Sequence, residues 1–161
     1  MRGHSVATNQ SPVEAFTSFF GEVEPRIRRA LVASWGAETG REAASDALAW
    51  AWEHWDRVRD MENPAGYLFR VGQTSARRYR RRHSRLDPPQ TAPEPWVEPA
   101  LNGALDGLSR KQRTAVVLRH SFGWTLAEIG ELLGIGVPSV QTHVTRGLDK
   151  LRKALEVEDE S

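Results

Sequence analysis

The sequence predicts an all-α fold of two small helical domains joined by a proline-rich linker, and three observations predict it. Helix-start signatures recur, as Ser11-Pro12-Val13-Glu14, Thr39-Gly40-Arg41-Glu42 and Thr125-Leu126-Ala127-Glu128, each with the form of a capping box. Apolar residues follow them at helical spacing, whereas alternation of period two is never sustained. Finally, Pro88, Pro89, Pro93, Pro95 and Pro99 crowd one stretch, where they remove backbone donors and fix backbone angles.

The first box places proline at the first helical position, and Phe16, Phe20, Val23 and Ile27 give the helix an apolar face. Pro25 interrupts that run, which predicts a kink or two consecutive helices. Behind the Thr39 box, Ala44, Leu48, Ala51, Trp55 and Val58 form a second stripe. On that helix Trp50 falls on the solvent side with Asp46, Glu53, His54 and Arg57, and Trp52 falls beside the buried stripe. Asn63-Pro64 opens a third segment, with Leu68, Val71 and Ser75 facing inward and the arginines elsewhere. These elements make a domain over residues 12–83. A flexible acidic linker spans 84–102, and a second domain spans 103–155.

Composition narrows the function. The chain has 161 residues, 39% hydrophobic and 27% charged, as in a folded globular protein. No apolar run approaches the roughly 20 residues that span a bilayer, and Met1 to Gln10 holds no signal-peptide core. A cytoplasmic address with no membrane association is the expectation. Cysteine is absent and the five histidines are scattered, so no metal site or cofactor is expected. No phosphate loop or nucleophile–base motif is present, so no catalytic residue is assigned and the chain is not expected to be an enzyme.

Net charge is only +1, but its distribution is uneven. Arg70 to Arg85 holds seven arginines and no acid, and Leu86 to Leu108 holds four acids and no base. Ser109 to Lys153 carries eight bases against three acids. Two basic blocks separated by an acidic spacer predict two nucleic-acid contact surfaces.

Thr125 to Arg146 carries the sharpest motif. The Thr125 box opens a short helix holding Ile129, Leu132 and Leu133, with Gly130 at a point of close packing. Gly134 suits a left-handed helix end, Ile135 plugs the turn, and Gly136 caps the next helix with Pro138 in its first turn. Val140, Val144, Leu148 and Leu151 face inward; Gln141, Thr142, Thr145 and Arg146 face outward, with His143 beside them. This is a helix-turn-helix, whose second helix from about Val137 to Lys150 runs about 20 Å and fits a major groove.

From Leu108-Ser109-Arg110-Lys111-Gln112-Arg113 through Leu151-Arg152, the chain resembles the fourth region of bacterial sigma factors. Ala44-Ser45-Asp46-Ala47-Leu48, with Trp55 and Tyr67-Leu68-Phe69-Arg70-Val71, resembles their second region. This pairing without a third domain is similar to the extracytoplasmic-function group. The resemblance implies a factor that binds core RNA polymerase and directs promoter-specific transcription initiation. Asp46, Trp50 and Glu53 would then meet the β′ clamp of the polymerase. Asn63, Tyr67, Arg70, Thr74, Arg77, Arg78, Tyr79, Arg81 and Arg82 would engage and melt the downstream promoter element, with the two tyrosines stacking on unpaired bases. Ser139, Gln141, Thr142, His143, Thr145 and Arg146 would read the upstream element. An anti-sigma protein is a possible partner.

The chain departs from the family pattern at several positions. Ala49-Trp50 stands where Gln-Glu is common on the clamp helix, and Thr74 stands where asparagine is common. Gly136, Gln141 and His143 stand where serine, lysine and arginine are usual. The rival reading is a helix-turn-helix regulator that binds an operator as a dimer and never joins polymerase.

Overall fold

The computed structural model describes residues 10–86 and 99–159, and among these the elements are eight helices and no strand. Helix α1 (Pro12–Trp35) starts as its sequence demands: Ser11 Oγ accepts from the Glu14 amide, and the Glu14 carboxylate accepts from the Ser11 amide, both at 3.2 Å. Pro25 lies inside α1 without dividing it. The carbonyl left without a donor by a helical proline is that of residue i−4, here Gly21, which is exposed and so can meet water.

Helix α2 (Ala37–Glu53) begins earlier than expected, and the Thr39 box is not used. The chain turns instead at Gly36, with φ 87°, and α2 has no side-chain cap. Thr39 and Gly40 therefore lie in its first turn, and Gly40 has a different task. A Cβ there would stand 2.5 Å from the backbone nitrogen and Cα of Val32, so α1 and α2 pack this closely only because position 40 has no side chain.

A short α3 (Trp55–Val58) leads to α4 (Pro64–Leu86). Asn63 caps α4, its Oδ1 accepting from the Gly66 amide at 3.0 Å. Helices α1, α2 and α4 enclose Ile27, Leu31, Val58, Leu68 and Phe69, each at most 2% exposed. Each such side chain contributes about 1.5–3 kcal/mol by leaving water.

The second half comprises α5 (Pro99–Asp106), α6 (Arg110–His120), α7 (Leu126–Leu133) and α8 (Val137–Asp159). The segment expected as linker, 84–102, is helical at both ends, since α4 runs to Leu86 and α5 starts at Pro99. Proline is compatible with a first helical turn, which explains the second boundary; residues 87–98 lie outside the described residues. Ser109 and Gln112 form a further capping box at the start of α6.

The two halves do not stand apart as independent bundles. Ala115, Leu118, Trp124, Ile129 and Leu132 join the same buried cluster as Ile27, Leu31 and Leu68. At its edge Ser34 Oγ and Thr114 Oγ1 lie 2.6 Å apart, both buried. A smaller cluster of Ala104, Leu105, Leu108, Val116 and Leu151 fastens α5 to α6 and α8. Among the described residues no helix is long and apolar enough to cross a membrane.

Candidate nucleic-acid interface

The helix-turn-helix is built by α7 and α8. Thr125 Oγ1 accepts from the Glu128 amide at 3.1 Å, and Glu128 closes the box on the Thr125 amide at 3.3 Å. The turn is fixed by Gly134, whose φ of 68° only glycine adopts without strain. Gly130 is required by the turn itself: a Cβ there would stand 2.7 Å from the Ile135 carbonyl oxygen. That carbonyl therefore passes close over α7 at Gly130.

The inward face of α8 is buried at Val140, Val144 and Leu151. Ser139, Gln141, Thr142, Thr145 and Arg146 are all exposed, as the sequence predicts. Gln141 Nε2 donates to Thr145 Oγ1 at 3.2 Å, which holds the amide along the helix surface. Lys150 is turned toward α6, donating to Gln112 Oε1 at 3.2 Å.

His143 is half-buried, and its pKa lies below the ordinary 6.5 because burial, then Lys111 and Arg146, disfavour the imidazolium. The sign of the consequence follows. The contribution to stability is fully present above about pH 6.5 and is lost as the pH falls through the lower folded value. Acidification through this window is expected to lower the melting temperature less in His143→Gln than in the unsubstituted chain. Identical pH dependence in a pair of melts would exclude His143 as the source.

The second cationic surface is α4. Asn63, Tyr67, Arg70, Thr74, Arg77, Arg78 and Arg81 recur at three- and four-residue spacing, which puts them along one side of a helix. Arg70, Thr74, Arg77, Arg78, Arg81 and Arg82 are exposed. The two tyrosines are engaged rather than free. Tyr79 donates to Glu38 Oε1 at 2.9 Å and stacks on His83, and its pKa is raised first by that hydrogen bond and then by burial. Tyr67 packs against Trp50 at 5.4 Å between ring centroids. Phe69 is buried in the core.

The surface of α2 holds Asp46 and Glu53 exposed, with Asp46 Oδ2 accepting from Ser75 Oγ. The tryptophans differ from expectation. Trp50 is half-buried, stacked on His54 at 4.1 Å and leaning on Tyr67, whereas Trp52 is 47% exposed and so is not a core residue. The reason is the order of packing. Position 50 turns toward α4, and position 52 turns toward α1, where Phe16 meets the Trp52 ring at 5.0 Å without covering it. Beside it a groove of about 500 Å³ is lined by Phe16, Phe20, Leu48 and Trp52 together with Arg41 and the Glu24–Arg28 ion pair.

The spacing pattern of the sequence did not single out Trp35. Its ring lies under Arg110, 3.5 Å from guanidinium carbon to ring centroid, and under Arg80 at 5.2 Å. Arg110 and Arg113 come from α6, and Arg80 comes from α4.

The family description "Sigma-70, region 4" matches residues 100–151, which contain the helix-turn-helix. The RNA polymerase sigma-E factor of Streptomyces antibioticus is 31% identical over 123 residues, covering 70% of this chain and 68% of that protein. The chain belongs to the extracytoplasmic-function group of RNA polymerase sigma factors. The sigma factor SigW of Bacillus subtilis is 46% identical over a shorter stretch of 48 residues, 30% of this chain and 26% of that protein. Two solved structures share the fold. The sigma factor RpoE of Bartonella quintana, in complex with the anti-sigma factor NepR, matches with a TM-score of 0.60 at 20% identity, covering 89% of this sigma factor and 98% of that chain. CnrH, in complex with the cytosolic domain of CnrY, matches with a TM-score of 0.57 at 21% identity, covering 89% and 88%. Sigma factors are initiation factors, which sets aside the reading of this chain as an operator-binding dimer.

Proposed function

We propose that this sigma factor binds core RNA polymerase through the exposed face of α2, reads the upstream promoter element with α8 and engages the downstream element with α4. The observation that carries this is the pairing, on one short chain, of an exposed polar recognition face with an arginine-lined helix. On α8, Gln141 offers the donor and acceptor that pair with adenine, and Arg146 reaches guanine or phosphate. Along α4, Arg70, Arg77, Arg78, Arg81 and Arg82 hold the backbone while Asn63 and Thr74 supply polar contacts; Tyr67 and Tyr79 reach bases only by leaving Trp50 and Glu38. Asp46 and Glu53 meet the β′ clamp, with the tryptophans beside them. The sigma factor works by binding and positioning rather than by catalysis, with no cofactor, in the cytoplasm where polymerase and promoter DNA meet. An anti-sigma protein that covers the groove between α1 and α2 would compete with polymerase for the same surface.

The test is to mix the purified chain with core polymerase and a library of promoter fragments. The expected result is promoter-dependent transcripts, with Gln141→Ala shifting base preference at one or two upstream positions by about 1–3 kcal/mol. Transcripts that never depend on the added chain would overturn the reading. An unchanged upstream consensus for the variant would remove Gln141 from base recognition.

A further inference from the structure

The last carbonyls of a helix lack partners within it, and at the end of α1 they draw cations from α4 and α6. Arg113 Nε donates to the Ala33 carbonyl at 3.1 Å, Arg110 to the Ser34 carbonyl, and Arg80 Nη2 to the Trp35 carbonyl at 3.3 Å. Three guanidiniums thus converge on three consecutive residues. The guanidinium carbon of Arg110 lies 3.5 Å from the centroid of the Trp35 ring, and that of Arg80 lies 5.2 Å from it. Trp35 is 6% exposed, so its ring is a fixed floor under both.

Negative charge at this point falls short of the positive. A helix end supplies only about half an elementary charge. Among the described residues, Asp106 is the acid that opposes the cations around Arg110, and its carboxylate is engaged by Arg113 at 2.9 Å. Burial first, and then the charges of Arg80, Arg113 and Arg77, lower the pKa of Arg110 to about 10. At neutral pH it therefore keeps its proton, and the crowding of like charge persists. Each guanidinium carries five N–H donors. Among the described residues, the helix carbonyls take one from Arg80 and one from Arg110. Arg80 is exposed and Arg110 is half-buried, so donors not used on α1 are open to solvent.

We propose that Arg80, Arg110 and Arg113, with Arg77 at the margin, form a binding site for a free phosphate-type oxyanion of two or more charges, such as a phosphate or pyrophosphate group. The carbonyls of Ala33, Ser34 and Trp35 orient the guanidiniums from one side, and the anion meets them from the other. Phosphate oxygens accept paired hydrogen bonds from the planar fork of a guanidinium, and a multiply charged anion offsets more than one of these cations in a small space. The site goes beyond the promoter contacts proposed above, since Arg80, Arg110 and Arg113 belong to neither DNA-reading set.

The test is a calorimetric titration of the full chain with inorganic pyrophosphate, the ionic strength being held constant with sodium chloride. Saturable binding is expected, together with a melting temperature that rises with pyrophosphate, because a ligand held only by the folded chain stabilises it. Arg80→Gln and Arg110→Gln should each weaken that binding at least about tenfold, as loss of a charge-assisted contact does. Arg78→Gln removes the same charge from the same helix, but Arg78 is not among the cations that bear on Arg110. Its effect should stay within about twofold, through the screened general field alone. If Arg110→Gln melts below the temperature of the titration, Arg80→Gln, at an exposed position, decides the matter. A response to pyrophosphate that never saturates, or an equal loss in Arg78→Gln, would mean that the anion answers only to net charge and would overturn the site. A single-stranded DNA oligonucleotide gives the second arm. It should bind the unsubstituted chain and Arg110→Gln alike, and a loss as large as that for pyrophosphate would assign these guanidiniums to the nucleic-acid backbone instead.

Discussion

Alanine at Arg77, Arg78, Arg81 and Arg82 together is expected to reduce the slope of log affinity against log salt for promoter binding by the holoenzyme by about three units. Each duplex phosphate neutralised contributes a slope near −0.9, and a single-stranded phosphate about −0.7. All four side chains are exposed on α4, within a stretch from Arg70 to Arg85 that itself holds no acid. The effect in affinity is larger at low salt than at high salt, because screening already weakens the contacts there. Arg80 is the control within the same block. It is committed to the Trp35 carbonyl and ring, so Arg80→Ala should alter the domain contact and leave the slope nearly unchanged. Filter binding or fluorescence anisotropy across a salt series reads both results. An unchanged slope in the quadruple variant would mean that the block faces polymerase or solvent and not DNA.

The contrast between Arg80 and its neighbours shows what the sequence could reveal and what it could not. The helix-turn-helix was legible almost residue by residue, because its determinants are local: a capping box at Thr125, a left-handed glycine at 134, an inward stripe at Val140, Val144 and Leu151. The arginine block was equally plain, since charge needs no partner to be counted. The Thr39 box misled because a capping pattern is only a local preference. The box pattern places no demand on position 40, whereas the backbone of α1, passing 2.5 Å from where a Cβ would stand, requires glycine there. Long-range contacts left no periodic mark at all. Trp35 lies 75 residues from Arg110 in sequence, and nothing in either neighbourhood signals that a tryptophan at one helix end will be covered by an arginine from another. The one local signal there, the capping box of Ser109 and Gln112 at the start of α6, was not among the boxes singled out from the sequence.

The two tryptophans of α2 illustrate the same limit, and they support the last expected result. On an ideal helix the stripe of Ala44, Leu48 and Ala51 places Trp50 outward and Trp52 near the core, but α2 is packed on two sides, by α1 and by α4. Neighbours on two sides leave only a narrow outer face, centred near Ala49, and the tryptophans lie at its two edges. At one edge Trp50 is stacked on His54, leans on Tyr67 and has the Arg57 guanidinium 5.9 Å from its ring. Trp52, at the other edge, forms an exposed aromatic surface with Phe16 and Phe20, Phe20 itself being 42% exposed. Large aromatic residues at the rim of an apolar groove are the side chains that dominate binding energy once a partner covers them. Trp52→Ala is therefore expected to weaken core-polymerase binding by about 2 kcal/mol with a small loss of fold stability. Trp50→Ala should do the reverse, lowering the melting temperature by removing the ring on which Tyr67 and His54 pack while costing less in polymerase affinity. A titration of each variant against core polymerase, beside a thermal melt, separates the two. Equal polymerase affinity for Trp52→Ala and the unsubstituted chain would take the groove out of the interface and leave Asp46 and Glu53, on the far side of the same face, as the contacts to examine.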